Sequence, residues 1–494
     1  MDNIFLIKFL VPLLWAISFV FAPKNNERAV KILALIGSFV ALFYSVEFYM
    51  GLKDPGVLTE LFKLSLPNFF GMTYTFALDG LGGLLLMLNA FLLVVVVVAT
   101  WNLETDKLRL YYFLIFTLVW AVNGSLMATS LYGFYIFWEA MLIPLFILVG
   151  VFGGENRRYA SFKFFMMTAA GSILMLSAMC YMSALAYRMN GSYDLTYEVI
   201  KNLGLHFDGF WSPQSLVFWA FAIAFFLKVP VFPFHSWLPD AHVEAPTAGS
   251  IFLAGILLKL GIYGFLRFVI PVYPQAVDAY RDVVLYLGAI GVIYGALTAW
   301  VQKDIKKLVA FSSISHMGYI IMGVFSQNQF AVKGAIFQMI AHGISTPGLF
   351  IGVHYLYTRL HTKKLEMYGG LAKVMPRFAV LFFIITAGSM AVPMTCGFVG
   401  EFMITFGVYE INPTVAILAA TGIILSPIYL LKMYHLTALG EIKHEENKEL
   451  KDLSWLESAP MIVLSIITIV LGLYPNLVTG LFEGTIAFLT NKGI

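Results

Sequence analysis

The sequence predicts an all-α polytopic membrane protein with about 14 transmembrane helices. Three observations predict it. Of 494 residues, 60% are hydrophobic and only 12% are charged, and mean hydropathy is +0.84, far from the composition of a soluble domain. Apolar runs long enough to cross a bilayer as a helix recur along the whole chain. These runs are continuous rather than alternating, which excludes a β-barrel. The net charge of +3 says little about partners, and no basic patch for nucleic acid is present. Cys180 and Cys396 each stand alone in apolar sequence, which is neither a metal pattern nor a disulfide framework. The opening MDNIFLIKFLVPLLWAISFVFAP lacks a basic region and a small-x-small cleavage site, so it reads as the first span rather than a cleaved signal.

Hydropathy places the spans in order near 4–22, 30–50, 79–100, 110–129, 132–152, 163–187, 214–229 continuing after a break, and 247–270. They continue near 282–301, 305–325, 331–357, 378–409 with a break, 413–438 and 458–478. Glycine and proline mark many connections, as at 271–274 and 412–413. Lysine and arginine orient the array. They gather at Lys24, Arg28, Lys31, Lys107, Arg109, Arg157, Arg158 and Lys163, then at Lys303, Lys306 and Lys307. The same set continues with Arg359, Lys363, Lys364, Lys373, Arg377, Lys432, Lys443, Lys448 and Lys451. All of these fall in odd-numbered connections, which therefore face the cytoplasm and put both termini outside. The opposite side is sparser: Lys8, Lys53, Lys63, Arg188, Lys201, Arg267, Arg281, Lys333 and Lys492. Lys8, Arg267 and Lys333 sit near span ends and read as snorkelling side chains; Glu47 and Asp79 read as anchors.

Four charges lie inside apolar helices: Glu139, Lys228, Lys259 and Glu401. A charge at mid-bilayer costs roughly 2.5–3.5 kcal/mol even on forgiving scales, so such residues point to a path for protons or ions. Two spans are broken beside such a charge. FFLKVPVFPFH holds Pro230 and Pro233 next to Lys228, and SMAVPMTCGFVGEF holds Pro393, Gly397 and Gly400 next to Glu401. Proline removes a backbone donor, and a membrane tolerates the freed groups only where protein or water satisfies them. The two breaks are five spans apart, as are Glu139 and His316. An odd offset inverts the second unit, so spans 4–8 and 9–13 read as two inverted five-helix repeats, on position alone. The chain then divides into 1–108 (spans 1–3), 109–270 (first repeat), 271–440 (second repeat) and 441–494 (a cytoplasmic loop, span 14 and the tail).

Ordered by span, the buried titratable groups are Glu139, Lys228, Lys259, His316, His342 and Glu401. Acids, bases and histidines in series pass protons where water fills the gaps. Burial favours a neutral lysine and a nearby carboxylate restores its charge, so moving a Glu–Lys pair apart or together switches its proton affinity. Histidine suits a relay between them. Set against this, the lesser reading of Lys228 or Glu139 alone is half of a structural ion pair, and His316 and His342 read equally as hydrogen-bonded packing residues. The odd connection 235–249 (HSWLPDAHVEAPTAG) has no Lys or Arg and carries His235, Asp240, His242 and Glu244. It reads either as a proton mouth or as a turn with helix-capping groups. No phosphate loop, dinucleotide fingerprint or metal motif is present.

At HSWLPDAHVEAPTAGSIFLAGILLKLGIYGFLRF (235–268) the chain resembles the antiporter-like subunits of respiratory complex I and the related Mrp-type sodium/proton antiporters. The resemblance covers nearly the whole chain, with its core in spans 4–13. In that family a glutamate on the fifth span and lysines on the seventh and eighth form a membrane-embedded axis, which Glu139, Lys228 and Lys259 match. Most relatives carry a lysine on the twelfth span, whereas the chain 4 branch carries a glutamate, as Glu401 does in GFVGEFMI. KDIKKLVAFSSISHMGY (303–319) and LEMYGGLAKVMP (365–376) resemble the same branch. The chain ends soon after span 14, without the long lateral helix of another branch, and LKMYHLTALGEIKHEENKEL departs from the usual family wording. The resemblance implies a proton-translocating module of NADH–quinone oxidoreductase in a bacterial inner membrane. FMN, iron–sulfur clusters and quinone would belong to partner subunits, with neighbouring antiporter-like subunits and lipid around this chain and no cofactor or metal in it. Glu139–Lys228 would be the switchable pair, Lys259, His316 and His342 the central relay, and Glu401 the terminal site. The alternatives are an Mrp-type antiporter subunit, a membrane-bound hydrogenase subunit or a ferredoxin-linked complex.

Overall fold

A computed structural model of the protein describes residues 2–66 and 72–490; Lys492, counted on the outer side, lies outside them. The chain opens with α1 (Asp2–Phe21) and α2 (Glu27–Met50), then a two-stranded antiparallel hairpin, β1 (Thr59–Leu66) and β2 (Met72–Leu78). The sequence reading leaves this stretch as a plain connection. The hairpin is held against the bundle by apolar side chains: Phe62 stacks on Phe76 at 4.4 Å, and Phe9 of α1 packs on both.

Then come α3 (Gly80–Ala99), α4 (Leu108–Met127), α5 (Leu131–Ala140), α6 (Leu142–Phe152), α7 (Arg157–Asn190), α8 (Tyr197–Lys201) and α9 (Pro213–Lys228). They are followed by α10 (Trp237–Glu244), α11 (Thr247–Phe252) and α12 (Leu258–Gly264), the last flanked by π-helical turns at Leu253–Leu257 and Phe265–Val269. The second half runs through α13 (Pro274–Val301), α14 (Ile305–Phe325), α15 (Gln329–Leu360), α16 (Pro376–Ser389), α17 (Cys396–Ile411) and α18 (Pro413–Ala438). It ends with α19 (Trp455–Leu473), α20 (Asn476–Thr479) and α21 (Glu483–Thr490).

Among the described residues, 12 helices are long and apolar enough to cross a membrane. The shorter apolar helices α9 and α16 each run up to one of the two breaks read from the sequence, at 229–236 and 390–395. A third interruption was not foreseen. Span five is split at Met141, because Pro144 has no N–H to offer the carbonyl of Ala140, and the split lies two residues beyond Glu139.

Burial grades the helices. In the most apolar stretches of α15 and of the α11–α12 segment every residue is buried, whereas in those of α1 and α2 only 22% and 33% are. Large apolar side chains such as Phe21, Phe43, Ile173 and Ile424 stand on the outside, as expected where lipid or another membrane subunit replaces water. The interior helices approach closely through glycine. A Cβ on Gly343 of α15 would meet the Gly255 carbonyl at 3.0 Å, and one on Gly255 would strike Leu92 of α3. That contact seats His342 beside Lys259.

Arg267 does not snorkel. It is buried and forms an ion pair with Asp79, which also caps α3 by accepting from Gly82 N at 2.9 Å and accepts from Thr485 Oγ1 at 3.1 Å. The pair ties the end of the α12 segment to the start of α3 and to α21. Lys8 and Lys333 reach carboxylates instead of open interface, Glu47 at 2.5 Å and Glu483 at 2.7 Å. Asp79→Asn keeps a cap but leaves Arg267 buried and unpaired, and should cost about 3–5 kcal/mol. The double variant Asp79→Leu/Arg267→Leu should recover most of that loss. Thermal unfolding of the purified protein measures both, and a double variant no more stable than Asp79→Asn would refute the pair's role.

Candidate functional site

The interior of the bundle holds a connected line of titratable side chains. Lys259, on α12, points into the core as the π-helical turn before it widens the helix, a distortion that often marks functional positions. Its ammonium donates to the Ala254 carbonyl and lies 2.7 Å from His342 Nδ1 on α15. The His342 ring stands edge-on to His316 of α14, with centroids 5.6 Å apart. His316 Nδ1 is 2.8 Å from Glu401 Oε1 on α17, and its Nε2 is 3.3 Å from Ser389 Oγ on α16. Gln338 Nε2 donates to the same Glu401 oxygen at 3.2 Å. All five titratable and amide side chains in this line are buried. Lys259, His342, His316 and Glu401, separate in sequence, thus form one file across four helices. His342 Nε2 and Glu401 Oε2 have no hydrogen-bond partner. Such atoms in a polar interior are where water binds.

The pair expected at the other end is arranged differently. Lys228 closes α9, where the helix C-terminus favours a positive charge. Its Nζ is buried, makes no hydrogen bond, and sits 4.5 Å from the ring centroid of Trp138. Glu139, next to Trp138 on α5, is its charged neighbour, but the two form no hydrogen bond, and Glu139 Oε1 is buried and unpartnered. Gly261 lets α12 run against α9, since a Cβ there would strike Val229 and meet the Phe225 carbonyl at 3.0 Å, with Lys228 Cβ 3.5 Å away. This sets Lys228 and Lys259 on adjoining helices, with no hydrogen bond between them.

The 235–249 segment divides. Glu244 and Asp240 have structural partners: Glu244 Oε2 accepts from Asn156 N at 3.0 Å, and Asp240 pairs with Lys163 at 2.6 Å. Lys363 and Lys306 donate to the carbonyls of Val243 and Ala245 at the end of α10, at 2.8 and 2.6 Å, the expected placement of cations at a helix C-terminus. His235 lies in the break between α9 and α10 against Phe232 and Tyr294, with Nδ1 unpartnered. His242 is fully buried and stacks on Phe350 at 4.6 Å; neither ring nitrogen has a partner. Phe350 also lines a cavity of about 270 Å³ with Glu244, Lys306, His354 and Lys363. Lys306 and Lys259 are the charged neighbours of His242, so this histidine stands between the cavity and the central file.

Sequence reasoning missed Gln338, Ser389 and Trp138. Each is an ordinary polar or aromatic residue in an apolar run, and only tertiary placement sets it beside a charge. No cluster of three or more His, Cys, Asp or Glu suited to a metal occurs among the described residues.

Residues 128–426 match the transmembrane family described as NADH:quinone oxidoreductase/Mrp antiporter. The chain is 40% identical to the NADH-quinone oxidoreductase subunit M of Rhodobacter capsulatus over 473 residues, which is 94% of this chain and 91% of that one. It is 37% identical to the subunit M of Escherichia coli strain K12 over 416 residues, 82% of this chain and 80% of that one. Among solved structures it is similar to a chain of respiratory complex I from Thermus thermophilus with bound NADH, with a TM-score of 0.86 at 28% identity, covering 99% of this chain and 100% of that one. A chain of the Mrp complex from Dietzia sp. DQ12-45-1b shares the fold with a TM-score of 0.84 at 21% identity, covering 98% of each. The matched stretch runs from the residue after α4 to the middle of α18 and contains every member of the buried file. The chain belongs to the NADH:quinone oxidoreductase/Mrp antiporter family of membrane proteins.

Proposed function

We propose that this chain is a proton-translocating, antiporter-like membrane subunit of an NADH–quinone oxidoreductase. It couples electron transfer in partner subunits to proton movement through its own buried residues. The observation that carries the reading is the file Lys259–His342–His316–Glu401, with spacings of 2.7 and 2.8 Å at its two ends and edge-on imidazole rings 5.6 Å apart between them. Glu139 and Lys228 form the switch that loads it. His242 links the cavity beside Lys306 to Lys259 on the cytoplasmic side, and His235 serves the same mouth less directly. FMN, iron–sulfur clusters and quinone lie in the partner subunits, and this chain carries no redox site. Counting each broken helix as one pass gives about 14 passes. On that count 109–270 and 271–440 are two inverted repeats between 1–108 and 441–494, and both termini face outward from the inner membrane. The relatives' names support the NADH-linked reading, and the glutamate at position 401 favours it over an Mrp-type antiporter.

Purification of the tagged chain from its native membrane in mild detergent tests this. The expected product is a large complex with flavin and iron–sulfur absorbance that reduces quinone with NADH. A colourless complex without that activity would assign the chain to an antiporter. A coloured complex inactive with NADH would assign it to a hydrogenase or ferredoxin-linked relative.

A further inference from the structure

Trp138 presents its indole face to the Lys228 ammonium at 4.5 Å, and no hydrogen-bond acceptor competes for that cation. A cation this close to the face of a tryptophan is attracted by the ring quadrupole, most strongly when both are removed from water. Both are: Trp138 and Lys228 are each 1% exposed. The indole is also held rigidly. Its Nε1 donates to Ser172 Oγ at 3.2 Å, and its ring packs on Phe134 at 5.4 Å and Phe225 at 5.4 Å. Glu139 follows Trp138 in the same helix, so their side chains leave the axis about 100° apart. One short helix, α5, thus offers Lys228 two separate seats, a carboxylate and an aromatic face, and the structure has the ammonium on the second.

We propose that Trp138 is the alternate seat of the Lys228 ammonium, the place it occupies when it is out of contact with Glu139. This rests on the proposed function and deepens it. A lysine leaving its carboxylate inside a membrane otherwise has nowhere to stay charged, so the pair would open rarely or the proton would leave at once. The indole face lowers the free energy of the opened pair without taking the proton, because a π-face is not a base. Trp138 is therefore a positioning residue, and it sets how readily the pair opens. The Ser172 bond and the Phe134–Phe225 packing exist to aim the face, and the split of the helix at Met141 lets α5 end at this site instead of continuing rigidly through it.

Fluorination of the indole tests the assignment, because each added fluorine weakens the quadrupole with little change in shape. Fluorotryptophans with increasing fluorine number would be placed at position 138 in the assembled complex, and NADH-driven proton pumping measured in membrane vesicles. Pumping should fall stepwise with fluorine number, and Trp138→Leu should lower it by about tenfold. Trp138→Phe should recover part of the loss. A purely structural tryptophan would tolerate fluorination, so a flat series in an assembled complex would overturn the proposal. Glu139→Gln is measured alongside. If it stops pumping while the fluorinated series stays flat, only the alternate seat is refuted. If Glu139→Gln pumps normally, the Glu139–Lys228 switch on which the seat rests falls with it.

Discussion

Lys259→Met in an assembled complex should abolish proton pumping through this subunit while leaving the protein folded and about as stable as before. Lys259 lies on the helix that adjoins Lys228, and its ammonium is 2.7 Å from His342 Nδ1. Methionine has nearly the same length and fills the same space, but carries no proton. Positioned proton-transfer groups contribute about 10²–10⁴-fold to a rate, so a fall of about 100-fold or more is expected. Stability should respond in the other direction or hardly at all. Removing a charge from the bilayer interior relieves roughly 2.5–3.5 kcal/mol, against about 1–3 kcal/mol for leaving His342 Nδ1 without its partner. A structural lysine would show the opposite pattern, lost stability with retained pumping. Proton uptake per NADH and thermal unfolding of the same preparation separate the two. Wild-type pumping in the variant would end the relay reading.

Much of this arrangement is legible in the sequence because the membrane makes it so. A charge costs so much in a bilayer that Glu139, Lys228, Lys259 and Glu401 announce themselves, and prolines in apolar runs mark the two breaks. What the sequence does not carry is pairing across helices. Nothing in FQMIAHGIST or SSISHMGY says that His342 meets Lys259 and His316 meets Glu401, because that depends on glycines such as Gly343 permitting close approach. Arg267 reads as a snorkelling side chain from its place near a span end. It is buried because Asp79, 188 positions earlier, meets it there. Trp138 gives no signal in a chain with 9 Trp and 45 Phe, since packing and cation binding use the same residue type. The β1–β2 hairpin escaped for a similar reason. Its alternation spans one short connection, and its Phe62 and Phe76 are fixed by Phe9 of α1.

Glu139→Gln should collapse NADH-driven pumping, and quinone reduction should fall with it where the two are tightly coupled. The Lys228 ammonium has no hydrogen bond, and its charged neighbour is Glu139. Two unit charges about 6 Å apart at an effective dielectric of about 20 interact by about 3 kcal/mol, enough to shift a proton equilibrium about 100-fold. Glutamine keeps the shape and removes that field, so Lys228 no longer changes its proton affinity as the pair opens and closes. Glu139→Asp restores the charge on a shorter arm and should recover part of the activity. If the two residues act as one switch, Glu139→Gln/Lys228→Met should be no worse than either single change, because a switch broken once cannot be broken again. Losses that add would instead give Glu139 and Lys228 independent tasks. Wild-type pumping in an assembled Glu139→Gln complex would remove the carboxylate from the mechanism altogether, and the file beyond Lys259 would need another source of protons.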